Sequence, residues 1–280
     1  MRDMLDSWIQ KTEVICREQV EPFLALQGQV LEPCDYYHTL IQLALASDES
    51  SRSALVLLRC RHVWDCEPLM RSVVEGTLKF LNLCDGSEDD RVRRFKEFAV
   101  VLPKVNSLKR HERLVRQLAC AENDLSLLRR PLQELLLANE EVASIRAEYP
   151  RDVRRRLEHS WSFYEIVARL AKKPAYAGLP HLLYIYGMSS NTLHADADGI
   201  GMRWERLMRH SKRREYVNIA HAGRIISDIL SYLGFRLHGL LQVTDKSTTN
   251  FHCYTDSIAP ILNEISAVQR KWEKLEYEDG

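Results

Sequence analysis

Two polar insertions interrupt otherwise apolar helical segments of this 280-residue chain, and they hold its most reactive side chains. In Arg71-Ser-Val-Val-Glu75 the charged residues are four apart, on one helical face, among Leu69, Val73, Val74, Leu78, Phe80 and Leu81. A buried Arg–Glu pair costs more to desolvate than it returns, so function is a reason for keeping one. The second insertion, Tyr184 to Gly199, carries Tyr184, Tyr186, Ser189, Ser190, Asn191, His194, Asp196 and Asp198. Ser190 and His194 are one turn apart, so the serine can fix the ring tautomer, and Asp198 can act from the other side. A glutamate meeting that histidine gives a carboxylate–imidazole unit able to serve as general base. An arginine beside it holds phosphate or a developing negative charge. The expected site is therefore Arg71 as anion holder, Glu75 as base or orienter, Ser190 as orienter and His194 as general acid/base. No G-x-S-x-G elbow surrounds the serines, which argues against a hydrolase triad.

Other constellations are weaker. His194-Ala-Asp196-Ala-Asp198-Gly199 with Glu205 has EF-hand spacing, but histidine is a poor Ca²⁺ ligand and Gly201 stands where the loop needs a hydrophobe. A softer metal on His194, Asp196 and Asp198 has no further support, and the expectation is a helix ending in an acidic turn. Arg203, Arg206, Arg209, Lys212, Arg213 and Arg214 form a basic run directly after the polar segment, and Arg151 to Arg156 a second. Such runs can follow a nucleic-acid backbone or pair with acidic surface. Tyr186 is the aromatic neighbour considered for stacking, with Tyr184 and Tyr36-Tyr37. There is no Gly-rich phosphate loop, and no cofactor is expected.

Lysine plus arginine equals aspartate plus glutamate at 39 each, which disfavours a globally basic nucleic-acid binder and leaves a local patch open. Cys16, Cys34, Cys60, Cys66, Cys84, Cys120 and Cys253 are scattered without a C-x-x-C pair, as expected of buried thiols in a reducing compartment. With no apolar leader-like N-terminus and no membrane-length apolar run, a soluble cytoplasmic protein is expected.

The elements that must position these residues are helices, because the dominant apolar period is 3.6 and β-type alternation is nearly absent. The pattern predicts helices over 4–20, 34–46, 53–83 divided at Pro68, 89–117 and 122–148 interrupted at Pro103 and Pro131, 161–172, 181–193, 216–243 and 257–275. Ser47 to Ser51 reads as a turn and 150–158 as a basic connector. The fold expected is an all-α bundle, one domain over 1–280, with 87–150 as an inserted charged helical hairpin.

An apolar helix with R-x-x-x-E, followed about a hundred residues later by a tyrosine-bearing S-x-x-x-H helix, resembles a bacterial helical family of unknown function found near phage-defence genes. Arg71, Glu75, Tyr186, Ser190 and His194 carry that resemblance. A wider similarity to HEPN-type ribonucleases implies an R-x4-6-H pair at a dimer interface. Arg154/His159, Arg203/His210 and Arg214/His221 fit that spacing, at a frequency chance alone supplies in so arginine-rich a chain. The resemblance implies a defence or stress effector acting on RNA or a nucleotide without a metal, with a homodimer as candidate assembly. The contrasting expectation is a non-enzymatic helical interaction module whose polar pair is structural.

Overall fold

The computed structural model describes residues 2–28, 35–120, 126–181, 183, 186, 187, 189, 190, 197–244 and 249–278. The chain is all-α, with no strand among the described residues. It divides into two compact units: one joins 1–85 with 167–280, and the other is the continuous stretch 86–166.

The first unit is a bundle built on α1 (Arg2–Glu18), α2 (Glu21–Leu24), α3 (Asp35–Arg59) and α4 (Glu67–Cys84) from the first part of the chain. From the last part come α11 (Ala197–Met208), α12 (Ser211–Thr244) and α13 (Thr249–Glu273). Apolar positions at helical spacing make α4 the centre, packed on α3 and α12, while α12 also meets α1 and α13. Trp8, Leu40, Leu55, Leu58, Val73, Phe80, Ile225, Ile226, Ile229 and Leu230 are fully shielded in this core. Each such aliphatic side chain contributes roughly 1.5–3 kcal/mol.

Two boundaries differ from the sequence reading. Ser47 to Ser51 is no turn: α3 runs through it, because the Ser47 and Ser51 hydroxyls bond back to the carbonyls of Leu43 and Ser47, both at 2.8 Å. The chain turns instead at Arg61, which has a positive φ of 67°, and Pro68 opens α4 from its first turn rather than breaking a longer helix. Cys16, Cys66 and Cys84 are buried and Cys60 and Cys253 exposed. Burial pushes the Cys16 and Cys66 thiols up to about 12, which makes them poor nucleophiles. No helix is long and apolar enough to cross a membrane among the described residues.

The second unit holds α5 (Glu88–Lys96), α6 (Leu102–Cys120), α7 (Ser126–Glu134), α8 (Asn139–Glu148) and α9 (Arg151–Ser160), and α10 (Phe163–Leu170) starts within it. A π-helical turn at Glu97–Val101 joins α5 to α6 and accommodates Pro103, where an interruption was expected. Pro131 lies inside α7, and the break comes at 135–138, where the Ala138 N–H donates to the Glu141 carboxylate at 2.9 Å. The connector over 150–158 is helix α9, with Arg156 paired to Asp152 at 3.0 Å.

Candidate functional site

Glu67, Arg71 and Glu75 recur every four residues along α4 and so form one polar stripe on its surface. The stripe meets the segment around Tyr186, whose described residues 186, 187, 189 and 190 are helical. Arg71 is the centre of the upper half. Its Nε donates to Glu75 Oε1 at 3.1 Å, Nη1 to Ser190 Oγ at 3.0 Å and Nη2 to the Tyr186 hydroxyl at 2.8 Å. The Tyr186 hydroxyl in turn donates to Glu75 Oε1 at 2.8 Å, and the guanidinium carbon lies 4.7 Å from the tyrosine ring centre. Burial and the Glu75 carboxylate raise the Tyr186 phenol, so it stays a proton donor at neutral pH. Glu75 Oε2 stands 4.0 Å from Lys79. The Arg71 side chain is 22% exposed, so the fork is shielded but reachable.

The lower half is a carboxylate–imidazole unit, built from different residues than the sequence predicts. Glu67 Oε1 accepts from His221 Nε2 at 2.7 Å and from Arg224, while Oε2 accepts from the buried Ser189 hydroxyl at 2.6 Å. Arg224 Nη1 also holds Asp228 Oδ2 at 2.5 Å. Burial alone would raise Glu67, but the His221 hydrogen bond, the Arg224 charge and Ser189 outweigh it and bring the carboxyl down to about 2. Burial pushes His221 the other way, to about 4. At neutral pH an ionised Glu67 therefore faces a neutral imidazole whose Nε2–H donates to it.

His221 stacks on Trp64 with ring centres 3.6 Å apart and 27° between planes, and the Arg206 guanidinium also lies over the indole. Two groups centred on one ring take opposite faces, so Trp64 is sandwiched. Its Nε1–H donates to Asn218 Oδ1 at 3.2 Å, which fixes the indole against α12.

A protein-family model matches residues 37–211. The chain belongs to the family of unknown function DUF5677. In this DUF5677 protein the match takes in the whole Arg71 fork and Glu67 and ends at the first residue of α12, so His221, Arg224 and Asp228 lie beyond it. No curated protein and no solved structure matches the chain.

Of the residues singled out by sequence, Arg71, Glu75, Tyr186 and Ser190 meet directly. His194 lies outside the described residues, as do Tyr184 and Asp196. Asp198, Gly199 and Glu205 lie in α11, so the described part of the acidic turn expected after a helix end is helical. A helical path over these positions also excludes the looped EF-hand arrangement. In the basic run, Arg209 is held by Glu205 at 2.6 Å and Glu276 at 2.7 Å. Arg213 Nη2 donates to the Leu275 carbonyl at 3.1 Å and Arg214 Nη1 to that of Leu207 at 3.4 Å. Arg203 is on α11 with its side chain outside the described set.

Glu67, Arg224 and Asp228 escape the sequence reading, Ser189 enters it only as part of the polar segment, and His221 only for its spacing from Arg214. The signal was present. Glu67 continues the four-residue step of Arg71 and Glu75, and His221, Arg224 and Asp228 are polar interruptions of the apolar helix over 216–243. The same reasoning that picked out Arg71 applies to them.

Proposed function

We propose that this DUF5677 protein is a bacterial, cytoplasmic defence or stress effector, distantly HEPN-like, that acts on RNA or a nucleotide at the Arg71 fork. The observation that carries the reading is the guanidinium itself. It is held from α4 and from the Tyr186 segment by three partners, it is partly exposed, and three of its five N–H donors are used among the described residues. A fixed arginine with donors to spare is suited to a phosphate oxygen and to charge that builds on it in the transition state. In this reading Glu75 orients Arg71, since its Oε1 already accepts two hydrogen bonds. Ser190 sets the other edge of the fork. His194, one turn beyond Ser190 in sequence, supplies the proton transfers.

The test is cleavage of single-stranded RNA and hydrolysis of nucleoside triphosphates by the purified chain and its R71K, E75Q and H194A variants. R71K keeps the charge but not the fork, so the expected loss is on the order of a hundredfold, with the melting temperature shifted by no more than a few degrees. H194A should lose as much. Wild-type inactivity on both substrates, or activity insensitive to R71K, overturns the proposal. Unfolding of both R71K and E75Q would assign the network to structure instead.

A further inference from the structure

A surface helix ordinarily turns its apolar side to the core, and α11 does the reverse. Its large apolar residues Ile200, Trp204, Leu207 and Met208 recur at the four- and three-residue steps of one helical face, and all four are 56–62% exposed. Gly201 lies on the same side, and nothing stands within 4 Å of a Cβ built there. The side of α11 turned to the first unit carries instead the buried Gly199, the half-buried Met202 and Arg206, whose guanidinium covers Trp64. The charge next to the apolar face is of one sign. Residues 203–214 hold six cations, Arg203, Arg206, Arg209, Lys212, Arg213 and Arg214, against the single carboxylate of Glu205. That carboxylate and Glu276 are both held by Arg209. Arg214 marks the end of the apolar face, since its Nη1 donates to the Leu207 carbonyl at 3.4 Å, and Arg213 donates to the Leu275 carbonyl at 3.1 Å. Lys212, Arg213 and Arg214 are exposed, and among the described residues no carboxylate pairs with them.

We infer that this face of α11 lies on a membrane. Its four apolar side chains enter the boundary between headgroups and acyl chains, and Lys212, Arg213 and Arg214 meet anionic phospholipid headgroups. An apolar row that includes tryptophan and is edged by lysine and arginine is the composition that binds a lipid interface. Lying on a bilayer takes no membrane-spanning helix. A second copy of the chain is the poorer occupant, because the row presents on the order of 500 Å² while a stable dimer covers about 800 Å² on each partner. A nucleic acid would use the cations and the indole but leave Ile200, Leu207 and Met208 in water. The inference goes beyond the proposed chemistry and uses no residue of the Arg71 fork.

Co-sedimentation of the full chain with lipid vesicles tests it, using phosphatidylcholine alone and phosphatidylcholine mixed with phosphatidylserine. The chain should bind the mixed vesicles about tenfold more tightly, and high salt should remove most of that difference. W204S and L207S, at exposed positions, should each weaken binding about tenfold, with the melting temperature shifted by no more than a few degrees. K212E should weaken binding to the mixed vesicles and not to phosphatidylcholine. R71K should bind as wild type, which separates this face from the fork. The inference is overturned if the wild-type chain binds neither vesicle, if it binds the two alike, or if W204S and L207S both bind as wild type. It is also overturned if sedimentation velocity shows a dimer that W204S dissociates, or if W204S removes binding to single-stranded RNA and leaves vesicle binding intact.

Discussion

At neutral pH Glu67 and Asp228 are ionised around Arg224 while His221 stays neutral, and acid then acts on the three with different signs. His221 falls from an ordinary 6.5 to about 4 because burial disfavours the imidazolium. The unfolded chain therefore takes up its proton first, and stability is lost as pH falls from 6.5 to 4. Asp228 is raised from 3.8 to about 6, chiefly by burial, so the native state takes up its proton first and stability is gained from 6 down to 3.8. The two effects offset across the same window. Glu67, lowered from 4.5 to about 2, loses its contribution only below 4.5. Denaturant unfolding at pH 7, 6, 5 and 4 should therefore show D228N losing on the order of 2–3 kcal/mol more than wild type across that range, because the aspartate no longer offsets the histidine. Parallel curves for the two proteins would refute the assignment.

Among the elements, two close helix contacts depend on glycine. A Cβ at Gly76 would run into the Ser47 hydroxyl, which is locked onto Leu43, and one at Gly239 would come within 2.9 Å of Leu81 and 3.3 Å of Phe80. Gly76 thus sets the approach of α3 to α4, and Gly239 that of α12 to α4. G76A and G239A should each destabilise by about 1–3 kcal/mol in thermal or denaturant melts. G201A is the contrast: nothing lies within 4 Å of its Cβ on α11, so it should be neutral or stabilise by about 0.5–1 kcal/mol. Equal effects at all three positions would contradict this packing account. These contacts also explain what was legible in the sequence. The 3.6 period marks α4 and α12 because their buried faces are continuous, and the R-x-x-x-E step marks Arg71 and Glu75 because both lie on one face. The Ser47–Ser51 stretch misleads, since serine hydroxyls that start a turn in one setting satisfy a helix carbonyl in another. Glu67 hides beside Pro68, where an acidic residue reads as an ordinary helix start. That it meets Ser189, His221 and Arg224 is a fact of tertiary packing that no local spacing carries.

For the molecule as a whole, the first unit is assembled from both parts of the chain, with the residues of the second lying between them in sequence. Glu67 joins those parts directly: its partner Ser189 is 122 residues away and Arg224 is 157. Closing so long a loop costs entropy before any contact repays it, so these bonds are expected to form late in folding. Interactions absent from the folding transition state act on the rate of escape from the native state. E67Q should then refold at nearly the wild-type rate and unfold several-fold faster in stopped-flow denaturant jumps, whereas an equal slowing of refolding would place Glu67 in the nucleus. The carboxylate that anchors the lower half of the stripe is in this sense also a clasp, and it governs how long the native state lasts once formed.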